Sequence, residues 1–314
     1  MRSAMDQTIG PVSVVIPSIG RLPLLRQAVE SVLECRPGAA DVVVVDQSRG
    51  SDVARLVDEL ARPELRWVAD NGSGIGRAIN TGLRSARHPI VLVTHDDCRV
   101  RPDWVGVATS LLTERPSLLV TGRVEPATAD VHVPSCKTDL VAEEHQGGFR
   151  YDLLYCNNWA VVKRELTQLG GFDERAGLRL AAEDCDLCFR WTHLGRPVRY
   201  EPDMVVWHQD WRSEPQLRRT YRTYGRGLGV FYAKHILAGH RQLLGYLRRD
   251  LARGLAHSWR GRLRGEPPGL DVDRGLLLGL PAGLVTGTVE ELRLRRAARR
   301  EPAPATGSRD DQYR

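Results

Sequence analysis

Four short β-branched runs punctuate the first hundred residues: VSVVI (Val12–Ile16), DVVVV (Asp41–Val45), LRWV (Leu65–Val68) and IVLVT (Ile90–Thr94). Between them apolar residues recur at helical spacing, as at Leu22, Leu25, Val29 and Val32. The runs at 12–16, 41–45 and 90–94 are apolar on both faces, which predicts central strands covered by helices on either side. Such alternation predicts a doubly wound α/β sheet. Downstream, CNNWAVV (Cys156–Val162) predicts another strand, LGGFDE (Leu169–Glu174) a turn, and AAEDCDLCFRWTHLG (Ala181–Gly195) a helix with an acidic first turn. VRY and VVWH predict two short strands after it.

From Glu214 the pattern turns helical. Leu217, Tyr221, Tyr224, Leu228, Phe231 and Tyr232 predict the apolar face of one helix, and Leu244, Leu247, Leu251 and Leu255 that of a second. A Gly/Pro-rich gap at 265–269 precedes Gly275–Val289, an apolar stretch of 15 residues. At about 1.5 Å per residue this falls short of the roughly 30 Å hydrocarbon core of a bilayer. Pro281 and four glycines interrupt it, so a shallow or re-entrant insertion is expected rather than a span. The expected division is residues 1–211, a basic helical extension at 212–300, and a disordered tail at 301–314.

At 314 residues, 42% hydrophobic and 27% charged, the chain can bury a core without disulfide or metal staples and is too apolar to be disordered. The net charge of +6 is unevenly spread. Residues 212–300 carry 19 Arg or Lys against seven Asp or Glu, whereas residues 1–211 carry 24 against 29. The basic part therefore points to an anionic partner, nucleic acid or a membrane surface. Six cysteines lie at 35, 98, 136, 156, 185 and 188 without zinc-ribbon spacing, and no apolar leader opens the chain. A reducing cytoplasmic setting is expected, with the Cys185/Cys188 pair packed in a helix rather than holding a metal.

In doubly wound sheets ligands sit beyond the carboxyl ends of the strands. Pro17, Ser18 and Arg21 follow the first run, Asp46 and Gln47 the second, and His95, Asp96 and Asp97 the fourth. Two adjacent carboxylates directly after a buried strand are costly to desolvate, and a divalent cation would compensate them. The alternative is a solvated turn cap.

The ordered series VVIPSIGR, VVVVDQS, NGSGIGRAINTGL, THDDC…RPDW, LGGFDE, AEDCDL and VVWH, from Val12 to His208, resembles glycosyltransferase family 2. The resemblance implies a GT-A fold, a mixed sheet flanked by helices, an inverting transfer from a nucleotide-diphosphate sugar, and Mg²⁺ or Mn²⁺. It implies that Pro17, Ser18, Asp46 and Gln47 border the nucleoside, Arg77 and Asn80 line ribose and diphosphate, and Asp96 contacts ribose. Asp97 would ligate the metal, with His208 beside it. Gln47 and His95 stand where the family often has acids. Glu183 and Asp184 match the paired acids of the acceptor site, with Asp184 as the base that takes the acceptor hydroxyl's proton and Glu183 assisting; the competing reading is that these acids favour a helix N-terminus. Arg190 is an alternative ion-pair partner there.

The acceptor is expected to carry a hydroxyl, in cell-envelope polysaccharide or glycolipid synthesis, with the basic helices on an anionic membrane face and no nucleic acid bound. A helical subdomain packed on the rest of the chain or on a second subunit is the alternative. A sugar-nucleotide pyrophosphorylase shares the layout and metal need, but IPSIGRLPLL lacks the Gly-rich, Lys-containing loop expected after its first strand. A non-catalytic binding protein would leave the strand-end acids unexplained, since they repel phosphate, and Gln47 and His95 leave a pseudoenzyme as a further reading.

Overall fold

The structure is a computed structural model that describes residues 10–128, 133–175, 177–179, 181–263 and 272–298. Two compact units divide it, residues 1–217 and 218–314.

In the first unit, β1 (Val12–Ser18), α1 (Leu22–Leu33), β2 (Asp41–Asp46), α2 (Asp52–Leu60), β3 (Leu65–Ala69), α3 (Ile75–Ser85) and β4 (Ile90–Thr94) alternate as the apolar periodicity predicts. Then come β5 (Cys98–Val100), α4 (Trp104–Glu114), β6 (Leu119–Pro126), β7 (Glu143–His145), β8 (Asn158–Val162), α5 (Lys163–Gln168), α6 (Glu183–His193) and β9 (Val198–His208). Among the described residues they form one nine-stranded sheet in the order β3-β2-β1-β4-β8-β6-β9-β5, with β7 also on β9. The β3-β2-β1-β4 half is parallel, and β8 runs antiparallel to both β4 and β6. Neighbouring strand residues point to opposite layers. Val12, Val14 and Ile16 pack with Leu25, Val29, Val53 and Trp104 of α1, α2 and α4, whereas Val15 packs with Ile79, Leu166 and Leu187 of α3, α5 and α6. Cys188 lies in this second layer, and all six cysteines are free thiols.

β5, α4, β6, β7 and α5 are not anticipated by the sequence pattern, and VRY and VVWH belong to one strand, β9. Pairing with β6 makes β9 continuous: Leu119–Gly122 register with Val198–Glu201, and Arg123–Pro126 with Val205–His208 after a shift at Gly122/Arg123. A Cβ on Gly122 would lie 2.1 Å from the Met204 carbonyl oxygen, so only glycine permits this approach. Asn158, fully buried, bridges the irregularity: its Oδ1 accepts from Trp104 Nε1 at 2.9 Å and its Nδ2 donates to the carbonyls of Arg123 at 2.9 Å and Met204 at 2.7 Å. Asn158→Ala strands these groups. It is expected to lower stability by about 2–4 kcal/mol in urea denaturation, and an unchanged midpoint would contradict the bridging role.

The second unit holds most of α7 (Glu214–Leu237) together with α8 (Leu243–Leu263) and α9 (Val272–Ala298). The gap at 265–269 and the tail at 301–314 lie outside the described residues. Leu228, Phe231 and Tyr232 of α7 are buried, as their spacing predicts, but Leu244 and Leu255 of α8 are exposed. The break expected at Pro281 and the glycines does not occur, because α9 runs through Pro281 as one helix. Its glycines are a packing surface. A Cβ on Gly279 or Gly283 would sit 2.0 Å from the carbonyl oxygens of Arg222 and Arg226 on α7, and one on Gly225 of α7 would sit 2.2 Å from that of Leu276. Four-residue glycine spacing thus lets the two backbones touch.

Candidate active site

The order of the parallel strands reverses between β1 and β4, which leaves a crevice beyond their carboxyl ends. Ser18 ends β1, and its hydroxyl donates to Asp96 Oδ2 at 2.8 Å. The backbone N–H of Ile19 reaches the same oxygen at 3.3 Å. Arg21 bridges the acidic pair, bonding Asp96 Oδ1 and lying 3.1 Å from Asp97 Oδ2. Asp97 Oδ2 also accepts from Trp211 Nε1 at 3.1 Å. Asp97 Oδ1 lies 3.6 Å from His208 Nε2 and accepts from the Cys98 thiol at 3.6 Å. His208 ends β9 directly opposite Cys98 of β5, so sheet register delivers it to residues 110 positions away in sequence.

Electrostatics separates the two acids. Burial raises Asp96 and Arg21 only partly offsets it. For Asp97 burial works against ionisation but is overcome by His208 and Arg21, which hold its carboxyl well below the ordinary range. His95 is pushed down to about 4 by burial and is neutral at physiological pH, with Nε2 buried and unpartnered.

A carboxylate oxygen of Asp97, a ring nitrogen of His208 and the Cys98 sulfur all lie within 4.8 Å of one another. Burial and the charge of Asp97 hold the Cys98 thiol protonated, which leaves carboxylate and imidazole as donors. Buried His208 Nδ1 has no protein partner. Oxygen and imidazole donors beside a second carboxylate suit a divalent cation such as Mg²⁺ or Mn²⁺.

The remaining predicted nucleoside-side residues gather at the ends of β2 and β3. Pro17 is buried in β1 beside Val45 of β2. Asp46 Oδ1 accepts from the Ser48 N–H at 2.8 Å. Gln47 donates to Asp70 Oδ2 at 3.0 Å and to the Gly74 carbonyl at 3.2 Å. Arg77 pairs with Asp70 at 2.9 Å and with Glu174 at 3.3 Å. Asn80 is buried and committed: its amide exchanges two 2.9 Å bonds with the Phe172 backbone and a third with Glu174, so it clamps the LGGFDE turn onto α3. Asp70, which links Gln47 to Arg77, was overlooked in sequence although the strand-end rule applied to β3 finds it. Trp211 carries no such signal, since it follows the last strand and only tertiary structure brings it to Asp97.

Glu183 and Asp184 open α6 near Cys156, which precedes β8; β8 lies beside β4, and Asn158 faces Thr94. The residue before them, Ala182, has φ +66°, a left-handed conformation uncommon for a non-glycine residue and costly unless its surroundings impose it. Burial, then the charge of Asp184, pushes Glu183 up to about 8, and its Oε2 has no partner. Burial also raises Asp184, whose Oδ1 accepts from the Cys185 N–H at 2.7 Å. Burial thus works against ionisation of both acids, and the charge of Asp184 adds to the effect on Glu183, so Asp184 is the member of the pair that ionises first. Arg190 does not pair with either, bonding Asp186 at 2.8 Å and the carbonyls of Leu169 and Gly171.

The extra proton on Glu183 has a sign that thermal unfolding can read. Between the ordinary 4.5 and about 8 the folded chain holds a proton that the unfolded chain releases, so this group makes stability fall as pH rises through that window. Gln imitates the protonated acid. Glu183→Gln is expected to match the parent Tm at pH 5 and to exceed it at pH 8 by at least about 2–4 °C, the equivalent of roughly 1 kcal/mol in a unit of this size. A constant difference across the range would refute the assignment.

The family model described as "Glycosyltransferase like family 2" matches residues 10–228. Among curated proteins the chain is similar to a probable glycosyltransferase, YdaM, of Bacillus subtilis (strain 168), 22% identical over 63% of this chain and 50% of that one. It is also similar to a pre-mycofactocin glycosyltransferase of Mycobacterium tuberculosis (strain ATCC 25618 / H37Rv), 27% identical over 63% of this chain and 42% of the relative. The chain thus spans half or less of these relatives' length. Among solved structures, mannosyltransferase PcManGT from Pyrobaculum calidifontis in complex with GDP-Man and Mn²⁺ superposes with TM-score 0.54 at 18% identity, covering 94% of this chain and 77% of that one. GalNAc-T7 with UDP, GalNAc and Mn²⁺ gives TM-score 0.55 at 17% identity, covering 73% and 51%. These likenesses establish a shared GT-A fold.

Proposed function

Because the chain belongs to the family described as "Glycosyltransferase like family 2", we propose that it moves a sugar from a nucleotide-diphosphate donor to an acceptor hydroxyl with inversion at the anomeric carbon. One observation carries the reading: the buried Asp96, Asp97 and His208 cluster lies beyond β4, and β8 beside that strand follows Cys156, which meets a separate acidic pair, Glu183 and Asp184. The first cluster suits a cation and a diphosphate, the second the removal of a proton.

Asp97 and His208 would hold the divalent cation, which when bound neutralises charge growing on the departing diphosphate. Pro17, Ser18, Asp46 and Gln47 border the nucleoside, Asp96 takes the ribose, and Arg77 would turn from Glu174 to the diphosphate while keeping Asp70. Asp184 accepts the acceptor hydroxyl's proton as that oxygen attacks the face opposite the leaving group. Protonated Glu183 assists by withholding a second charge from the pair. Two proteins that share the fold were solved with UDP, GalNAc and Mn²⁺ and in complex with GDP-Man and Mn²⁺, which supports donor and metal class alike. A thermal-shift panel of UDP-, GDP- and dTDP-sugars with Mn²⁺ and Mg²⁺ tests the reading: at least one donor is expected to raise Tm in a metal-dependent way and to release its nucleoside diphosphate. Stabilisation by none of them, in either metal, would overturn it.

The acceptor is proposed to be lipid-linked or part of the cell envelope, with the chain on the inner membrane face. No helix among the described residues is long and apolar enough to cross a membrane, but α9 offers a surface. Its outer face is apolar from Leu278 through Pro281, Ala282, Val285 and Val289 to Leu292, all exposed, and exposed Arg274, Arg293, Arg295 and Arg296 flank it. Apolar residues between arginines suit the headgroup boundary of an anionic bilayer. A second copy would bring the same basic surplus against itself. Vesicles containing phosphatidylglycerol are expected to co-sediment the protein at low salt and to release most of it at high salt, whereas Val285→Glu should abolish binding. A concentration-dependent dimer that ignores vesicles would overturn this docking.

A further inference from the structure

Two buried arginine–carboxylate sites in the first unit are built differently. At the amino-terminal end of β2, Arg66 grips Asp41 with both arms, Nε to Oδ1 at 2.7 Å and Nη2 to Oδ2 at 3.2 Å, and Nη2 also donates to the Ser85 carbonyl. Ser13 and the Arg87 N–H complete the shell of Asp41. That is a permanent structural pair, far from the carboxyl-end crevice.

Arg21 makes a looser arrangement. One nitrogen, Nη2, serves both Asp96 and Asp97, while its buried Nε has no hydrogen-bond partner. Its guanidinium lies 4.6 Å from the Trp211 ring centroid, and the same indole donates to Asp97 Oδ2. Arg21 caps the start of α1 rather than lying within an element, and its side chain is 21% exposed against 1% and 3% for the two acids. The guanidinium is therefore the accessible, incompletely satisfied member of the cluster.

We propose that Arg21 is a displaceable counter-cation: it neutralises the acidic pair when the divalent ion is away, competes with that ion for Asp97, and turns to the donor's diphosphate when metal and nucleotide arrive together. This rests on the functional reading above. A guanidinium on Asp97 Oδ2 opposes a divalent ion on the same carboxylate, since like charges a few ångströms apart repel in a partly buried site. The incoming diphosphate supplies the charge that the guanidinium needs elsewhere, and guanidinium suits phosphate oxygens geometrically. Metal and nucleotide binding are thereby coupled, each favouring the other by the same factor. Trp211 is the hinge partner of the exchange: its indole leaves Asp97 as the guanidinium does.

The test is Mn²⁺ binding to the full chain, followed by the electron paramagnetic resonance of free Mn²⁺, alone and with UDP or GDP. Arg21→Gln is expected to bind Mn²⁺ alone at least about tenfold tighter than the parent and to lose most of the enhancement that nucleotide gives the parent. Arg21→Lys keeps the charge but not the fork, and is expected to fall between the two. Mn²⁺ affinity in folded Arg21→Gln equal to or weaker than the parent's would overturn the proposal. If that variant does not fold, parent-like affinity in Arg21→Lys overturns it instead. A parent that binds Mn²⁺ with nucleotide while neither variant gains affinity removes only this inference. A parent that binds Mn²⁺ with neither nucleotide removes the functional reading as well.

Discussion

Asp184→Asn is expected to lower turnover by roughly 10²–10⁴-fold, the usual contribution of a positioned general base, while donor and Mn²⁺ binding stay within about threefold of the parent. The expectation follows from how burial treats the two acids. Burial and the charge of its neighbour push Glu183 up to about 8, which leaves Asp184 as the acid that ionises first and is better placed to accept a proton. An amide at 184 still accepts from the Cys185 N–H, now at 2.7 Å, and so preserves the start of α6. Because burial raises Asp184, the acid limb of the parent's pH–rate profile should lie above the ordinary carboxylate range and disappear from the residual activity of the variant. Measured by nucleoside diphosphate release, undiminished turnover would remove Asp184 as the base. A parallel loss of donor binding would assign it to binding instead.

Asp97→Asn is expected to abolish the Mn²⁺-dependent rise in Tm produced by a bound donor and to reduce transfer on the order of 10³-fold, the several kcal/mol that a metal ion supplies to a charged transition state. The amide retains an oxygen for Trp211 Nε1, and Arg21 retains Asp96 as its partner. The unliganded variant should therefore unfold within a few degrees of the parent. That separation of stability from binding is the informative result. Metal-dependent nucleotide binding equal to the parent's would exclude Asp97 as a ligand. The adjacent acid is the useful contrast, since Asp96 takes bonds from Ser18, Ile19 and Arg21 and its loss should disturb the end of β1 as well as the donor.

Much of the fold was legible because central parallel strands must be apolar on both faces. Val12–Ile16, Asp41–Val45 and Ile90–Thr94 could hardly be anything else, and the rule that ligands bind beyond strand carboxyl ends then picked out Ser18, Asp46, Asp96 and Asp97. The same rule passed over Asp70 only because β3, an edge strand with alternating burial, looked less like a core strand. β6 and the union of VRY with VVWH were not legible. They depend on pairing across a register shift, a long-range arrangement that Gly122 and Asn158 permit. In α9, glycine and proline read as helix breakers because local propensity penalises them, and close packing on α7 overrides that penalty.

The sequence by itself determined the class of fold, the strand-end acids and the division of charge, since each follows from local composition and periodicity. The surroundings of each buried acid were decided only by tertiary structure. Asp41, Asp70, Asp97 and Glu183 are all buried acidic residues. Asp41 is surrounded by fixed donors, Asp70 links Gln47 to Arg77, Asp97 meets an imidazole and a loosely held guanidinium, and Glu183 meets another carboxylate. The free energy of a buried charge is set by the partners within a few ångströms of it, and those partners come from strands and turns far apart in the chain.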